Sequence, residues 1–511
     1  MKKSIVPFRR LSTALFTLTV AVFCAILAGC NVGPKYLPPT MTAPPVFKES
    51  SEQSNNFDGW AVAQPQDAAL RGKWWEIYNE PELNALEDQL NIDNQNIRQA
   101  FENFMEARAL VREARSQYFP TVGVGGSYTR SQSSSNVGSA ASSSTTAGKQ
   151  SQVFSLSADV SWEPDLWGKV RNAVRASQYT AQLTAADLEN ERLTEQASLA
   201  QYFFEIRGQD ALQQILNDTV EADKKALEVV RSAYDTGVAD QISVVEAQTT
   251  LESAQSAAIN IGIARAQYEH AIAMLIGKQA SAFSIPVEPR TSAPPPIPVG
   301  IPSQLLERRP DVAAAERKMA ASNAQIRVAD SAYYPALTLS ATGGLESSAI
   351  KNLVDWPSRF WSIGPSVSET VYDGGLRRAT VNQYIATYNA NLAAYRQSVL
   401  AAFQQVEDAL AAVRILSQQV QRQQEAVDSS QMFLKLELGR YETGIDPYID
   451  VITAQITLLA NQQSLTNLRV QEITASVQLI ESLGGGWDRS QLPTPAQVTR
   501  KPKKSETAIQ H

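Results

Sequence analysis

The sequence predicts a mostly helical fold with membrane-spanning β-strands, built by an internal duplication. Three observations predict it: two proline-free helical stretches of more than 60 residues, four segments of alternating polarity, and a repeated turn. The turn reads YDTGVADQISVVEAQTTL at 234–251 and YETGIDPYIDVITAQITL at 441–458. Nine of the eighteen positions are identical, and the two copies lie 207 residues apart. Similarity at a fixed offset indicates a duplicated structural unit.

Residues 1–29 are predicted to be a signal peptide, because a basic start precedes an apolar run. LAGC at 27–30 resembles a bacterial lipobox, which implies cleavage before Cys30 and a covalent lipid on that cysteine. Cys24 leaves with the leader, so no intrachain disulfide is possible in the mature chain. Asn31 favours the outer membrane, since an aspartate there usually signals inner-membrane retention. Residues 30–81 are then a lipidated N-terminal surface segment.

The composition excludes several classes of protein. Without the four basic residues of the leader, 41 basic and 52 acidic residues remain, a net charge of −11 that argues against nucleic-acid binding. Two histidines, His270 and His511, and no nucleophile motif, phosphate loop or zinc spacing argue against an enzyme, a metal or a cofactor. No mature segment has about 18 consecutive apolar residues, so any spanning would use β-strands of ~9–11 residues.

The first repeat is predicted to cover 82–285. A helix ends near Gln117, and two strands follow at 121–129 and 152–163, where apolar and polar residues alternate. A helix then runs from about Trp167 to Tyr234, which is roughly 100 Å at 1.5 Å per residue. After a turn with Thr-Gly, a returning helix ends near Leu275.

The second repeat is predicted to cover 303–486, after a proline-rich linker at 286–302. The same order of elements returns, with strands at 336–345 and 361–371. Arg309, Pro310 and Asp311 are interpreted as a helix start with structural ion pairs. Residues 487–511 form a polar C-terminal tail.

Four membrane-length strands per chain cannot close a barrel, and an open edge cannot face lipid. Strands must therefore be pooled between chains, and two chains would give eight strands while three would give twelve. The long helices are rich in alanine, which permits either a solid coiled-coil rod or a hollow helical barrel. The strands favour the hollow barrel, because a solid rod has no need of them.

At this point the sequence resembles the TolC/OprM-like outer-membrane efflux proteins over essentially the whole mature chain. The resemblance implies a homotrimer with a twelve-stranded β-barrel, four strands per chain, continued by a long periplasmic α-helical barrel. It also implies a periplasmic adaptor protein and an inner-membrane RND-type pump as partners, with passive export of drugs or other small molecules. It rests on the lipobox, GPKYLPP (33–39), WW (74–75), YFP (118–120), EPDLWGKVR (163–171), LLERRPDV (305–312), YYPALTL (333–339), YDGG (372–375) and the paired turns.

The family closes its tunnel at the tip with polar and charged side chains, and Tyr441, Asp446, Asp450 and Thr453 stand at the matching positions. Family members carry an arginine at the position of Asp446 and an aspartate at the position of Thr453, so an arginine-centred lock is in doubt here. Under threefold symmetry Asp450 would form a carboxylate ring that attracts cations. The alternative is that Asp446 only caps a helix and Asp450 only favours its first turn.

The two turns differ in charge. In the first repeat, Ser243 matches Asp450 and Glu246 matches Thr453, so Glu246 joins the candidate gate residues. The turn apices, Gly237-Val238 and Gly444-Ile445, are expected to contact the adaptor by resemblance to the family. Simple turn chemistry would explain the same residues.

Three rival functions remain. A type I protein-secretion channel shares the architecture, although the lipobox and LLERRPDV favour small-molecule efflux. A non-conducting lipoprotein spacer would explain the helices but not the strands. An exported enzyme is opposed by the absence of catalytic motifs.

Overall fold

The computed structural model describes residues 32–39, 43–44, 47–50, 72–132, 134, 150–297 and 307–501. The leader, Cys30 and part of the linker therefore lie outside the described residues. None of the described helices is both long and apolar enough to cross a membrane. In chain order the elements are α1 (Pro81–Asp93), α2 (Gln95–Ser116), β1 (Thr121–Gln132), β2 (Gln150–Trp162), α3 (Lys169–Asp235), α4 (Gln241–Leu275), α5 (Pro310–Ser331), β3 (Ala336–Ser347), β4 (Arg359–Ser368), α6 (Leu376–Glu442), α7 (Tyr448–Ser482) and α8 (Pro495–Thr499).

The element order confirms the internal duplication. The run α2-β1-β2-α3-α4 returns as α5-β3-β4-α6-α7. The long helices α3 and α6 have 67 residues each, and the returning helices α4 and α7 have 35 each. These lengths correspond to roughly 100 Å and 50 Å. Gly168 and Gly375 precede the long helices with φ of 82° and 94°, a backbone conformation that favours glycine at this sharp entry.

The four strands form one antiparallel sheet in the order β1-β2-β3-β4. The register aligns apolar residues across all four strands, as in the row Val122, Val160, Ala341 and Ile363. The neighbouring row points to the other face of the pleat and is polar: Gly123, Asp159, Thr342 and Ser362. The predicted alternation is therefore a property of the whole sheet, with one apolar and one polar face.

Both faces of the sheet are exposed in the single chain. Trp361 and Ile363 on the apolar face are 79% and 73% exposed. On the polar face, the Thr342 hydroxyl donates to Asp159 at 2.8 Å. Strands β1 and β4 each keep one unpaired edge within the described sheet. Such a sheet is complete only when more strands join its edges and lipid covers its apolar face.

The long helix α3 is the centre of the helical packing and contacts α2, α4, α5 and α7. Helices α3 and α7 pack closely at Gly208, because a Cβ built on Gly208 would collide with the Val470 Cγ2 methyl. Nearby, the buried Asp210 carboxylate accepts hydrogen bonds from Arg265 at 2.7 Å and from the Glu288 backbone at 2.9 Å. This network ties the start of the linker to the repeat.

Both terminal segments dock on the helices close to the sheet. The carbonyl of Pro34 accepts a hydrogen bond from Arg327 Nε at 2.6 Å, one turn before α5 ends. At the other end of the chain, Trp487 and Val498 are buried. The C-terminal segment predicted as a polar tail is thus folded onto the protein as far as α8.

Aromatic side chains mark the border between sheet and helices. Trp162 Nε1 donates to the carbonyl of Tyr118 at 3.0 Å, and Trp167 Nε1 donates to the carbonyl of Pro335 at 2.7 Å. Trp167 also stacks on Tyr334, with ring centroids 4.9 Å apart. Trp167 therefore packs where the sheet meets the helices.

Tyr372 does not share this packing, because it is 88% exposed in the single chain. The start of α5 agrees with its prediction. Pro310 is the first residue of the helix, and Arg309 pairs with Asp311 at 2.6 Å.

Candidate functional site

The two repeated turns lie at the ends of α3 and α6 that are farthest from the sheet. Their backbones are nearly identical, because Gly237 and Gly444 take φ of 78° and 72°. In each, the next amide reaches back to a carbonyl near the helix end: Val238 to Ala233 at 2.8 Å and Ile445 to Arg440 at 2.9 Å. This left-handed glycine closure terminates both long helices in the same way.

The apex side chains project into solvent. Val238 is 83% exposed and Ile445 is 66% exposed. A side chain at Gly237 or Gly444 would meet no atom within 4 Å. The two apices therefore present apolar residues on open turns, which matches the position expected for adaptor contact.

Behind the apices, an apolar cluster holds the two hairpins together. It joins Leu227 and Val230 of α3, Ala247 of α4, and Tyr448 and Val451 of α7. Because its members come from both repeats, any separation of the hairpins must expose this cluster.

The second hairpin carries an arginine–carboxylate pair. Arg440 Nη2 donates to Asp446 Oδ1 at 2.8 Å, and its Nε bonds the other carboxylate oxygen. The hydrogen bond from Arg440 holds the pKa of Asp446 below its usual range. Arg440 was not among the predicted gate residues, although the sequence places it only six residues before Asp446.

Asp446 does not cap α7, contrary to the capping interpretation. Pro447 occupies the cap position, and no side chain accepts a bond from the first amides of the helix. Asp446 is instead drawn across the turn by the Arg440 guanidinium. The result is an ion pair that joins the end of α6 to the segment that precedes α7.

Three carboxylates gather beside this pair. One oxygen from each of Glu437, Asp446 and Asp450 lies within 4.8 Å of the others, which is a spacing that could hold a cation. Partial desolvation and the neighbouring Asp446 raise the pKa of Glu437. Asp450 also sits in the first turn of α7, where the helix dipole favours an acid. The two interpretations of Asp450 are therefore compatible.

The remaining predicted residues of this hairpin are less connected to the charges. The Tyr441 ring lies 5.2 Å from the ring of Tyr448, so it contributes to apolar packing. Thr453 is exposed, and its hydroxyl donates to the carbonyl of Ile449 on its own helix at 2.9 Å.

In the first hairpin, the aspartate after the turn caps the returning helix α4 instead of forming an ion pair. Asp240 accepts hydrogen bonds from the Ser243 amide at 2.9 Å and the Ser243 hydroxyl at 2.8 Å, which lowers the pKa of Asp240. Glu246 is half-buried and lies one turn further along α4. Within the described residues, its carboxylate makes no ion pair or hydrogen bond.

A buried acid near the tip, Asp223, was not predicted from the sequence. Asp223 of α3 is 3% exposed, and one of its carboxylate oxygens has no hydrogen-bond partner in the described structure. Burial raises its pKa to about 6. Together with burial, Asp223 raises the pKa of Tyr448 to about 12. An aspartate within an amphipathic helix gives no sequence signal of burial, because burial depends on neighbouring elements such as Tyr448 of α7.

A two-faced sheet that continues into helices of roughly 100 Å, with a charged turn at the far end, is the architecture of an outer-membrane channel. Comparison with known proteins agrees. The sequence profile of the family described as "Outer membrane efflux protein" matches residues 86–278 and 301–485, so the chain belongs to that family. The fold class predicted from the sequence is confirmed.

Relatives from Pseudomonas cover nearly the whole chain. The antibiotic efflux pump outer membrane protein ArpC of Pseudomonas putida is 28% identical over 92% of this chain and 95% of its own length. The toluene efflux pump outer membrane protein TtgC, also from Pseudomonas putida, has the same identity and coverage. The solved outer-membrane channel OprN superposes with a TM-score of 0.80 at 26% identity, over 90% of this chain and all of that one. The chain is thus an outer-membrane efflux channel with its helices in the periplasm.

Proposed function

We propose that this protein is the passive exit duct of a tripartite pump that exports drugs, solvents or other small molecules. The observation that carries the proposal is the register of the sheet, which gives every strand one apolar and one polar face. Three chains would supply twelve strands with the polar faces inward, and the helices would continue that lumen. The names of ArpC and TtgC support antibiotics and apolar solvents as the substrate classes.

The anchor would be a lipid on Cys30. Gly33 is packed against Arg327 and Asp330 at the end of α5. Three residues span at most about 11 Å, so Cys30 would lie close to the base of the sheet. Several acyl chains at that height would hold the chain in the outer membrane independently of the barrel.

The tip would be the gate. In a trimer, the acidic cluster of the second hairpin would occur three times around the axis, with Asp450 and Asp446 as its central members. Such a ring attracts cations and resists anions. Opening would be driven by the adaptor and the pump through the apices Gly237-Val238 and Gly444-Ile445, with Tyr441, Thr453 and Glu246 at the margins.

Planar-bilayer recording of the purified protein tests the duct and its gate together. We expect a small, cation-preferring conductance from the wild type, which rises in Asp450→Ala. Asp428→Ala, which removes a carboxylate from the exposed side of α6 away from the tip, serves as the matched control. Absence of conductance after confirmed insertion, in the wild type and in tip variants alike, would contradict the channel.

Adaptor contact is tested separately in cells. Val238→Asp and Ile445→Asp place charges on exposed apices, so bilayer conductance should be unchanged while antibiotic resistance conferred by the pump is lost. Ile259→Asp, at a site 79% exposed in the middle of α4, is the control that should keep resistance. Full antibiotic resistance in cells that carry both Val238→Asp and Ile445→Asp would rule out these apices as the site of adaptor contact.

A further inference from the structure

An open groove of about 530 Å³ lies between the end of α2, the start of α3 and the C-terminal helix α8. Arginines dominate its polar lining: Arg115 comes from α2, and Arg171 and Arg175 come from one face of α3. No acidic side chain of the described residues lines it. Helix α8 forms the third wall of the groove. The side-chain amide of Gln178 in α3 holds α8 by donating to Thr499 Oγ1 at 3.1 Å.

The three arginines line the same groove as Tyr118. Burial and the Asp165 carboxylate raise the pKa of the Tyr118 hydroxyl, and all three guanidinium groups oppose that rise. Arg171 is held by Asp165, with Nε 3.2 Å from Oδ2, and Arg175 donates to Asn172 on its own helix at 3.4 Å. The Arg115 side chain is exposed, and its guanidinium makes no ion pair or hydrogen bond within the described part of the chain. Among the residues that line the groove, three are arginines and none is acidic, so the lining is positively charged.

The groove lies at the height of the membrane surface. Tyr118 is three residues before β1, and its carbonyl accepts the indole hydrogen of Trp162 at the end of β2. Those three residues span at most about 11 Å, so the groove begins close to the start of β1, and Arg175 lies within the first two turns of α3. Interfacial aromatic residues mark the headgroup layer in membrane barrels.

The fold itself does not require these charges, and the second repeat shows this. By the offsets of the duplication, Asp330 stands at the position of Arg115 and Asn382 at the position of Arg175. Tyr118 and Arg171, in contrast, have the counterparts Tyr333 and Arg378. The aromatic position is therefore common to both repeats, while the arginines at positions 115 and 175 have no basic counterpart in the second.

We propose that this groove binds the phosphate of an anionic phospholipid from the periplasmic leaflet of the outer membrane. Arg115 and Arg175 would contact the phosphate oxygens, and Tyr118 would donate its hydroxyl hydrogen. The acyl chains would run upward over the apolar row that begins with Val122 and Val160. Bound lipid would fix the height of the barrel–helix junction in the membrane.

The test is lipid retention by the delipidated trimer in detergent, measured by native mass spectrometry during titration with phosphatidylglycerol or phosphatidylethanolamine. We expect up to three tightly bound phosphatidylglycerol molecules per trimer and weaker phosphatidylethanolamine binding. Affinity for phosphatidylglycerol should fall about fivefold for each arginine removed in Arg115→Gln and in the double variant with Arg175→Gln. Arg115→Lys should retain most of the binding.

Arg378→Gln is the matched control, because it removes an exposed arginine at the same depth in the second repeat. It should leave phosphatidylglycerol binding unchanged. Equal binding of both lipids, or equal losses in Arg115→Gln and Arg378→Gln, would overturn the proposal. So would displacement of phosphatidylglycerol by glycerol 3-phosphate at equal concentration, which would identify a site for a soluble anion. If the variant with both Arg115→Gln and Arg175→Gln fails to assemble, phosphatidylglycerol binding by Arg115→Gln alone decides the test. The Arg115 side chain is exposed, so its replacement should not disturb assembly.

Discussion

The two tip hairpins share the same backbone conformation at their turns but carry different side chains. Their turns close through equivalent hydrogen bonds, yet Asp240 caps the first returning helix while Pro447 begins the second. Where the first hairpin has Val230, fully buried in the apolar cluster, the second has Glu437 beside Asp446 and Asp450. Duplication thus preserved the shape of the tip, and divergence concentrated the charges on one hairpin. We infer that the first hairpin is the packed support and the second is the part that responds.

The two repeats also differ along their long helices, and a substitution at Gly208 of α3 should have the largest effect on stability. Gly208 of α3 touches α7, whereas its counterpart Ile415 in α6 is 51% exposed. Gly208→Ala should push α3 from the stiff Val470 side chain and destabilise the protein by about 1–3 kcal/mol. Thermal melting of the purified protein measures this.

Gly262→Ala is the control for the same exchange, because a Cβ there meets nothing within 4 Å. It should be neutral or slightly stabilising, through the reduced freedom of the unfolded chain. Equal melting temperatures for the two variants would show that the α3–α7 contact does not set the packing of the supporting hairpin.

Asp223 tests whether the contact between the hairpins is sensitive to pH. Its pKa in the folded protein is about 6, above the usual 3.8, so ionisation opposes folding. The stabilisation is complete below about pH 4 and is lost as the pH rises through about 6. At pH 7.5, Asp223→Asn should therefore protect the start of α7 by about 1–2 kcal/mol, since nearby water screens part of the effect.

Hydrogen exchange of α7 amides, measured at pH 4 and pH 7.5 after correction for the intrinsic rate, gives the result. The exposed Asp218→Asn on the same helix is the control and should change nothing at either pH. Protection by Asp223→Asn that is equal at both pH values would exclude ionisation as its cause.

The architecture could be predicted from the sequence because the spacing of apolar residues depends directly on whether a segment is a helix or a strand. Alternation predicted both faces of the sheet, and the long proline-free stretches predicted α3 and α6. Glycine predicted where α3, α4, α6 and α7 would end. These features depend on local geometry and on which face is apolar, so a single sequence contains them.

The connections within the tip were not predictable in the same way. Arg440 and Asp446 are joined across a turn, and Glu437 approaches them only after the turn closes. The burial of Asp223 requires a helix from the other repeat. The basic groove likewise assembles from α2, α3 and a C-terminal segment that composition marked only as polar. Each of these features arises from tertiary contact between elements distant along the chain or across a turn.

Arg440→Ala breaks the pair that distinguishes the second hairpin. Three carboxylates would remain without their cation, so mutual repulsion should loosen this hairpin and raise bilayer conductance up to about fivefold at low salt. The increase should shrink in 1 M salt, where the screening length falls to about 3 Å. Arg231→Ala, which removes an exposed arginine from the first hairpin, should leave the conductance unchanged.

The smallest effect should come from the capping difference. Asp240→Ala removes the acceptor of the Ser243 amide, so the first turn of α4 should fray and exchange its amide hydrogens about fivefold faster. Asp446→Ala should not change exchange in the first turn of α7, because Asp446 accepts no bond from those amides. Hydrogen exchange resolved by peptide compares the two turns in one experiment. Fraying of α7 in Asp446→Ala, equal to that of α4 in Asp240→Ala, would mean that both acids cap and that the hairpins do not differ in this respect. Fraying restricted to α4 would assign Asp446 to the ion pair alone, since α7 would then begin after Pro447 without a capping side chain.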